Sequence, residues 1–149
     1  MEALFRVAGV SDTPTLIQLM REYYAFDHLP FDEAAARPAL EALLDNGSFG
    51  RAWLIEDGGA AIGYVVLTLG YSLEYHGRDA FIDELYIREG YRGRGIGRQA
   101  LALLEATCRE LGVQALHLEV ERSNPVAQEV YRRAGYKDEN RYLMTKWII

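Results

Sequence analysis

The chain has 149 residues, half of them hydrophobic and 26% charged, with a net charge of −6. That profile fits one compact domain, residues 1–149, around one core, and the acidic balance argues against a nonspecific nucleic-acid binder. The longest apolar or small run, 60–70, is too short to span a bilayer, and Met1-Glu2-Ala3-Leu4 lacks the basic start of a signal peptide. The single cysteine, Cys108, can neither close an intramolecular disulfide nor hold a structural zinc, so no metal and a reducing, cytoplasmic location are expected.

Residues 4–10 alternate as a strand. Thr13-Pro14 opens a helix whose buried face carries Leu16, Ile17, Met20, Tyr23 and Tyr24. A second helical segment through Leu40, Leu43 and Leu44 ends at Asn46-Gly47, and Pro38 leaves its start open. Segments 51–56 and 61–69 form a hairpin about Asp57-Gly58-Gly59. A polar stretch, 74–78, leads to a strand at 80–87. A helix follows from Gly95 to the stop at Gly112, then a strand at 115–120. A short helix opens at Asn124-Pro125 and closes at Gly135, and 142–149 reads as a last strand. The order is β-α-α-β-β-β-α-β-α-β, an α/β domain with a mixed sheet.

The most informative segment is Arg92-Gly93-Arg94-Gly95-Ile96-Gly97-Arg98. The helix it opens has no Ser, Thr, Asp or Asn in capping position, so its first N–H groups await another acceptor. Alternating glycines let a bulky ligand approach the backbone, while the helix dipole and the cluster Arg88, Arg92, Arg94 and Arg98 favour an anion there. A phosphate or pyrophosphate is the expected ligand. The run lacks the Lys-Ser/Thr ending of a nucleotide-triphosphate loop. Gly95-Ile96-Gly97-Arg98-Gln99-Ala100 matches a dinucleotide fingerprint, with Glu119 downstream. Against that reading, Asp83 and Glu84 sit mid-strand where a doubly covered parallel strand is apolar, and too little chain follows for a doubly wound sheet.

Arg92, Gly95 and Gly97 fill an Arg/Gln-x-x-Gly-x-Gly/Ala signature, and Asn124, Tyr131, Gly135 and Tyr136 fill a second signature downstream. In both, and in element order, the chain resembles the GCN5-related N-acetyltransferase (GNAT) family. FIDELYI (81–87) and VYRRAGY (130–136) are most similar to its diamine acetyltransferase branch. The resemblance implies a GNAT-like, mostly antiparallel sheet flanked by helices, with acetyl-CoA as co-substrate. It implies that the backbone of Leu85, Tyr86 and Ile87 pairs with the pantetheine arm. The turn of Arg92, Gly93, Arg94, Gly95, Ile96, Gly97 and Arg98 would hold the pyrophosphate, and Asn124 would touch the pantetheine or orient the neighbouring turn.

Acetyl transfer by direct attack needs a neutral amine, a stabilised oxyanion and a protonated leaving thiolate. An alkylamine with a lysine-like pKa is only about 0.04% neutral at pH 7, a deficit of about 4.6 kcal/mol, so a base is needed. Asp83 and Glu84 are the candidates. Strict alternation puts them on opposite faces of the strand, with Asp83 sharing a face with Leu85 and Ile87. The diamine branch places its acid at the position of Asp83. The resemblance assigns Tyr131 as the acid that protonates the departing sulfur, and a phenol is protonated at neutral pH. His28, His76 and His117 have no metal-ligand spacing, and Cys108 reads as core.

The first helix and its following loop, with Tyr23, Tyr24, Phe26 and Asp27, and the stretch around Glu74 are expected to line the acceptor side. Their carboxylates and aromatic faces suit a small cationic amine. A non-catalytic acyl-CoA-binding module on the same fold is the alternative. A homodimer is expected, with 142–149 at its interface, because Trp147-Ile148-Ile149 is a large apolar segment for a monomer to cover.

Overall fold

The computed structural model describes residues 2–149. The chain divides into two compact units, one ending at Leu118 and the other formed by Glu119–Ile149. The first unit runs β1 (Leu4–Val7), α1 (Thr13–Phe26), α2 (Glu33–Asp45), β2 (Gly50–Asp57), β3 (Ala60–Ser72), β4 (Gly77–Ile87), α3 (Ile96–Glu110) and β5 (Ala115–His117); the second contains α4 (Pro125–Arg133). The expected order therefore holds from the first strand through the last helix.

The five strands form one sheet in the order β1-β2-β3-β4-β5. Pairing is antiparallel except between β4 and β5, which are parallel and joined through α3. Gly58 and Gly59 both adopt positive φ, 57° and 85°, in the tight turn between β2 and β3. On one face α1 and α2 cover Ala52, Leu54, Tyr64, Val66 and Tyr86. On the other, Leu104 and Cys108 of α3 pack on Trp53, Val65, Leu67 and Ala80. Cys108 is core, as expected, and burial raises its thiol pKa.

Several boundaries move for identifiable reasons. Residue 8 onward leaves β1 for a 3-10 turn, Val10–Asp12, in which the Asp12 carboxylate accepts from Gly9 N–H and from Arg6. That turn, rather than Thr13, precedes α1, and the Thr13 hydroxyl donates back to the Val10 carbonyl. Asp32 caps α2 at Ala35, so the helix starts at Glu33 and accommodates Pro38 inside it. The β3–β4 hairpin is longer than its apolar core predicts, with Ser72 opposite Gly77, because ladder hydrogen bonds continue beyond the buried residues.

Two corrections concern strands. Segment 115–120 forms only the three residues of β5, and 142–149 forms no strand among the described residues. The YLMTKWII segment has strand composition, yet a strand exists only through a neighbour's ladder, and no pairing joins this one to the sheet. Tyr142, Leu143, Met144, Trp147, Ile148 and Ile149 are all exposed.

Candidate active site

The site begins with a break in the alternation of β4. Val66 lies opposite Glu84 and Leu67 opposite Ile82, so Asp83 is an extra residue, a β-bulge. Ile82 and Leu85, three apart, consequently pack into the same apolar cluster beside α3. Tyr86 instead joins the cluster beneath α1. This corrects the expected geometry: Asp83 and Glu84 are not on opposite faces through strict alternation, because the extra residue resets the alternation between them.

Glu84 points into an aromatic wall. Its carboxylate accepts from the Tyr24 hydroxyl of α1 at 2.5 Å and from the Tyr64 hydroxyl of β3 at 2.6 Å. Tyr64 is wholly buried. Tyr23 packs edge-on against Tyr24, with centroids 5.6 Å apart, and lies 5.8 Å from Tyr86. Burial pushes the Glu84 carboxyl above its ordinary pKa and Asp83 adds to the rise, against the pull of the two tyrosine hydrogen bonds. Burial likewise raises Asp83, although the residue keeps an exposed edge. Both tyrosine hydroxyls are raised as well, first by burial and then by the Glu84 charge or its hydrogen bond. These groups form a pair of neighbouring carboxyls, Glu84 half-buried and Asp83 exposed, with two protonated phenols donating to Glu84.

The second feature is the edge of β4. Its ladder with β5 covers only Asp79, Ala80 and Phe81. From Ile82 to Ile87 no ladder partner lies on that side among the described residues, so the stretch through Leu85, Tyr86 and Ile87 is an open edge, on which the Ile87 carbonyl accepts from a side chain, Arg92 Nε.

The third is the turn into α3. Gly93 and Gly95 hold positive φ, 74° and 81°, and a side chain built at either would meet nothing within 4 Å. Gly95 is the N-cap of α3, with no side-chain hydrogen bond to the helix. The bare N-terminus of a 15-residue helix beside open space fits a phosphate group. The arginines do not act as one cluster, which corrects the expectation for Arg88. Its guanidinium is held by Glu22 in a two-point ion pair at 2.8 and 2.9 Å and also donates to the Ala61 carbonyl. Arg92 donates through Nε to the Ile87 carbonyl at 2.7 Å, and its guanidinium lies 4.2 Å from the Phe26 ring centroid. Arg94 lies over Tyr91, and Arg94 and Arg98 are exposed.

Other expected site residues are placed less closely. Asp27 is exposed at the C-cap of α1, next to the aromatic wall in sequence. Glu74 is exposed in the β3–β4 turn; from Gly77 to Glu84 is seven strand residues, roughly 20 Å, so Glu74 lies away from the carboxyl pair. In the second unit the Asn124 side chain caps α4, accepting from Ala127 N–H at 3.1 Å. Tyr131 lies edge-on to Tyr136, with centroids 5.9 Å apart, and burial raises its hydroxyl pKa. Gly135, at φ 99°, ends that helix, and Tyr136 N–H donates back to the Tyr131 carbonyl.

Among the described residues no group of three or more His, Cys, Asp or Glu is arranged to hold a metal ion, and no helix is long and apolar enough to cross a membrane. His117 is paired with Asp79 across the sheet at 3.1 Å. Sequence reasoning missed Tyr64 and Glu22. Tyr64 carried a signal, a polar-tipped ring inside the otherwise apolar run of β3; Glu22 carried none.

The model of the Acetyltransferase (GNAT) family matches residues 14–136. The chain belongs to that family. This GNAT enzyme is 24% identical over 148 residues to thialysine N-epsilon-acetyltransferase of Bos taurus, covering 91% of this chain and 84% of that protein. It is 35% identical over 65 residues to the Bacillus subtilis N-acetyltransferase YycN, a match spanning 44% of this chain and 42% of the relative. Among solved structures, an integron cassette protein from the Cole Harbour Salt Marsh metagenome superposes with a TM-score of 0.86 at 38% identity, covering 97% of this chain and 90% of that one. A predicted acetyltransferase from Clostridium acetobutylicum, solved with acetyl-CoA, shares the fold at a TM-score of 0.84 and 18% identity, covering 97% and 96%. The GNAT chain is an acyltransferase with a mixed sheet flanked by helices.

Proposed function

We propose that this GNAT enzyme transfers acetyl from acetyl-CoA to the primary amine of a small cationic acceptor by direct attack. One observation carries the reading. Among the described residues, a strand edge without a ladder partner runs from a bulge bearing two carboxyls, one half-buried and one exposed, to the uncapped N-terminus of α3. The edge of Leu85, Tyr86 and Ile87 would pair with the pantetheine amides as an added strand. The N–H groups of the turn from Gly93 to Arg98 would donate to the pyrophosphate oxygens at the helix N-terminus.

Asp83 is our choice of base. Both Glu84 oxygens already accept tyrosine hydroxyls, whereas Asp83 is raised by burial alone and keeps a solvent-facing edge through which a proton can leave. A carboxyl raised toward neutrality is better matched to taking a proton from an ammonium. Glu84 and the rings of Tyr23 and Tyr24 would attract and orient that cation. A main-chain N–H at the bulge would donate to the oxyanion, and Tyr131, kept protonated by burial, would donate to the departing sulfur. Asn124, occupied as a helix cap, would act by orienting its turn. Asp27 would extend the acceptor side, and Glu74 would reach only a long acceptor. The enzyme is proposed to be a cytoplasmic homodimer.

A panel of diamines, monoamines, amino acids and lysine peptides tests the reading, with free thiol released from acetyl-CoA as the signal. Amine-dependent release that is strongest with diamines supports it. Release that no amine accelerates contradicts it.

A further inference from the structure

Arg92 belongs to the glycine turn in sequence, yet its side chain is engaged by β4 and by the end of α1. It donates through Nε to the carbonyl of Ile87, the last residue of β4, at 2.7 Å. Its guanidinium then lies 4.2 Å from the centroid of Phe26 and 5.7 Å from that of Tyr86, both within the range of cation–π attraction. Phe26 is the last residue of α1 and is 56% exposed, outside the buried cluster beneath that helix. Immediately after it the chain enters the acceptor-side loop, where His28 holds a positive φ of 56°.

We infer that Phe26 is a positioning residue for the acetyl-CoA turn, acting through Arg92. The Phe26 ring and the Ile87 carbonyl hold the guanidinium at two points. Arg92 is thereby fixed at the start of the turn, one residue before the left-handed Gly93. Loss of the ring frees the side chain to sample other rotamers, and the turn must then be ordered when the phosphates bind, at a cost in affinity. The same contact ties the loop after α1 to the cofactor turn. Because coupling between two sites is reciprocal, an acceptor that orders this loop strengthens the hold on coenzyme A, and coenzyme A strengthens the hold on the acceptor.

The inference rests on the proposed acetyl-CoA site, and calorimetric titration of the full chain with coenzyme A separates the two. Failure of the wild-type chain to bind coenzyme A contradicts the functional reading and removes the basis of this one. Given wild-type binding, Phe26→Leu is expected to weaken it about two- to fivefold, the worth of one exposed cation–π contact. Phe26→Tyr, which keeps the ring, is expected to bind as wild type does. In an Arg92→Ala background, Phe26→Leu is expected to change nothing further. Since Phe26 is exposed, these variants should melt with the wild type; if the leucine variant does not, Phe26→Met replaces it in the same comparison. Wild-type affinity in the leucine or methionine variant, failure of tyrosine to restore it, or an equal loss with Arg92 already removed would each overturn the inference.

Discussion

Glu84 is a carboxyl whose folded environment disfavours its charge, and the consequence for stability has a definite sign. In the unfolded chain it ionises at its ordinary pKa, whereas in the fold burial raises that pKa. Ionisation therefore favours the unfolded chain: the destabilisation is absent below the unfolded pKa and complete above the folded one. Glu84→Gln removes the charge and keeps an acceptor for one tyrosine hydroxyl. Compared with wild type by thermal melts, the variant is expected to gain relative stability as the pH rises above about 4, the range in which the unfolded carboxyl ionises. A difference that stays flat or runs the other way would mean the carboxylate is well solvated. For the base, Asp83→Asn is expected to lower kcat about a hundredfold at pH 7, and by much less near the pKa of the amine, where the neutral nucleophile is already abundant. Equal losses at both pH values would remove Asp83 from proton transfer. Tyr131→Phe keeps the ring and removes only the hydroxyl. A folded variant is expected to lose roughly a hundredfold in kcat, and one with normal turnover would assign Tyr131 to packing.

At the scale of elements, the N-terminus of α3 carries the phosphate claim. Gly95→Val is a poor test, because the left-handed φ of 81° strains any side chain whatever it blocks. Gly97 lies in the first turn without a positive φ, and a β-carbon there meets only Ile87 Cδ1 at an ordinary 3.8 Å. Gly97→Glu should therefore fold, since an acidic residue suits a helix N-terminus, while repelling an anion. Coenzyme A affinity is expected to fall at least tenfold, and undiminished affinity in a folded variant would move the pyrophosphate elsewhere. The turn, the hairpin and the helices were legible because their signals are local: glycines where φ is positive, periodic apolar residues, a bare helix start. The bulge at Asp83 was not, since nothing in FIDELYI says which residue will lack a partner; that is decided by the register with β3. The same limit explains 142–149, where strand composition was visible and the absence of a ladder was not. The dispersal of the arginines depended on long-range partners, Glu22 for Arg88 and Phe26 for Arg92, which spacing along the chain cannot show.

At the scale of the molecule, the exposed apolar residues of 142–149 support a homodimer even though that segment is not a strand. Light scattering at micromolar concentration is expected to give twice the chain mass of 16.9 kDa, and a steady monomer mass would exclude pairing. The chain as a whole is read as a direct-transfer enzyme in which the β4 bulge handles the acceptor's proton and the α3 turn holds the donor. The most direct test counts free thiol released from acetyl-CoA against acetylated diamine formed, in wild type and in Asp83→Asn at pH 7. The account predicts one thiol per acetylated amine in the wild type and about a hundredfold slower formation of both in the variant. Thiol release without an acetylated amine, or equal rates in the two proteins, would contradict it.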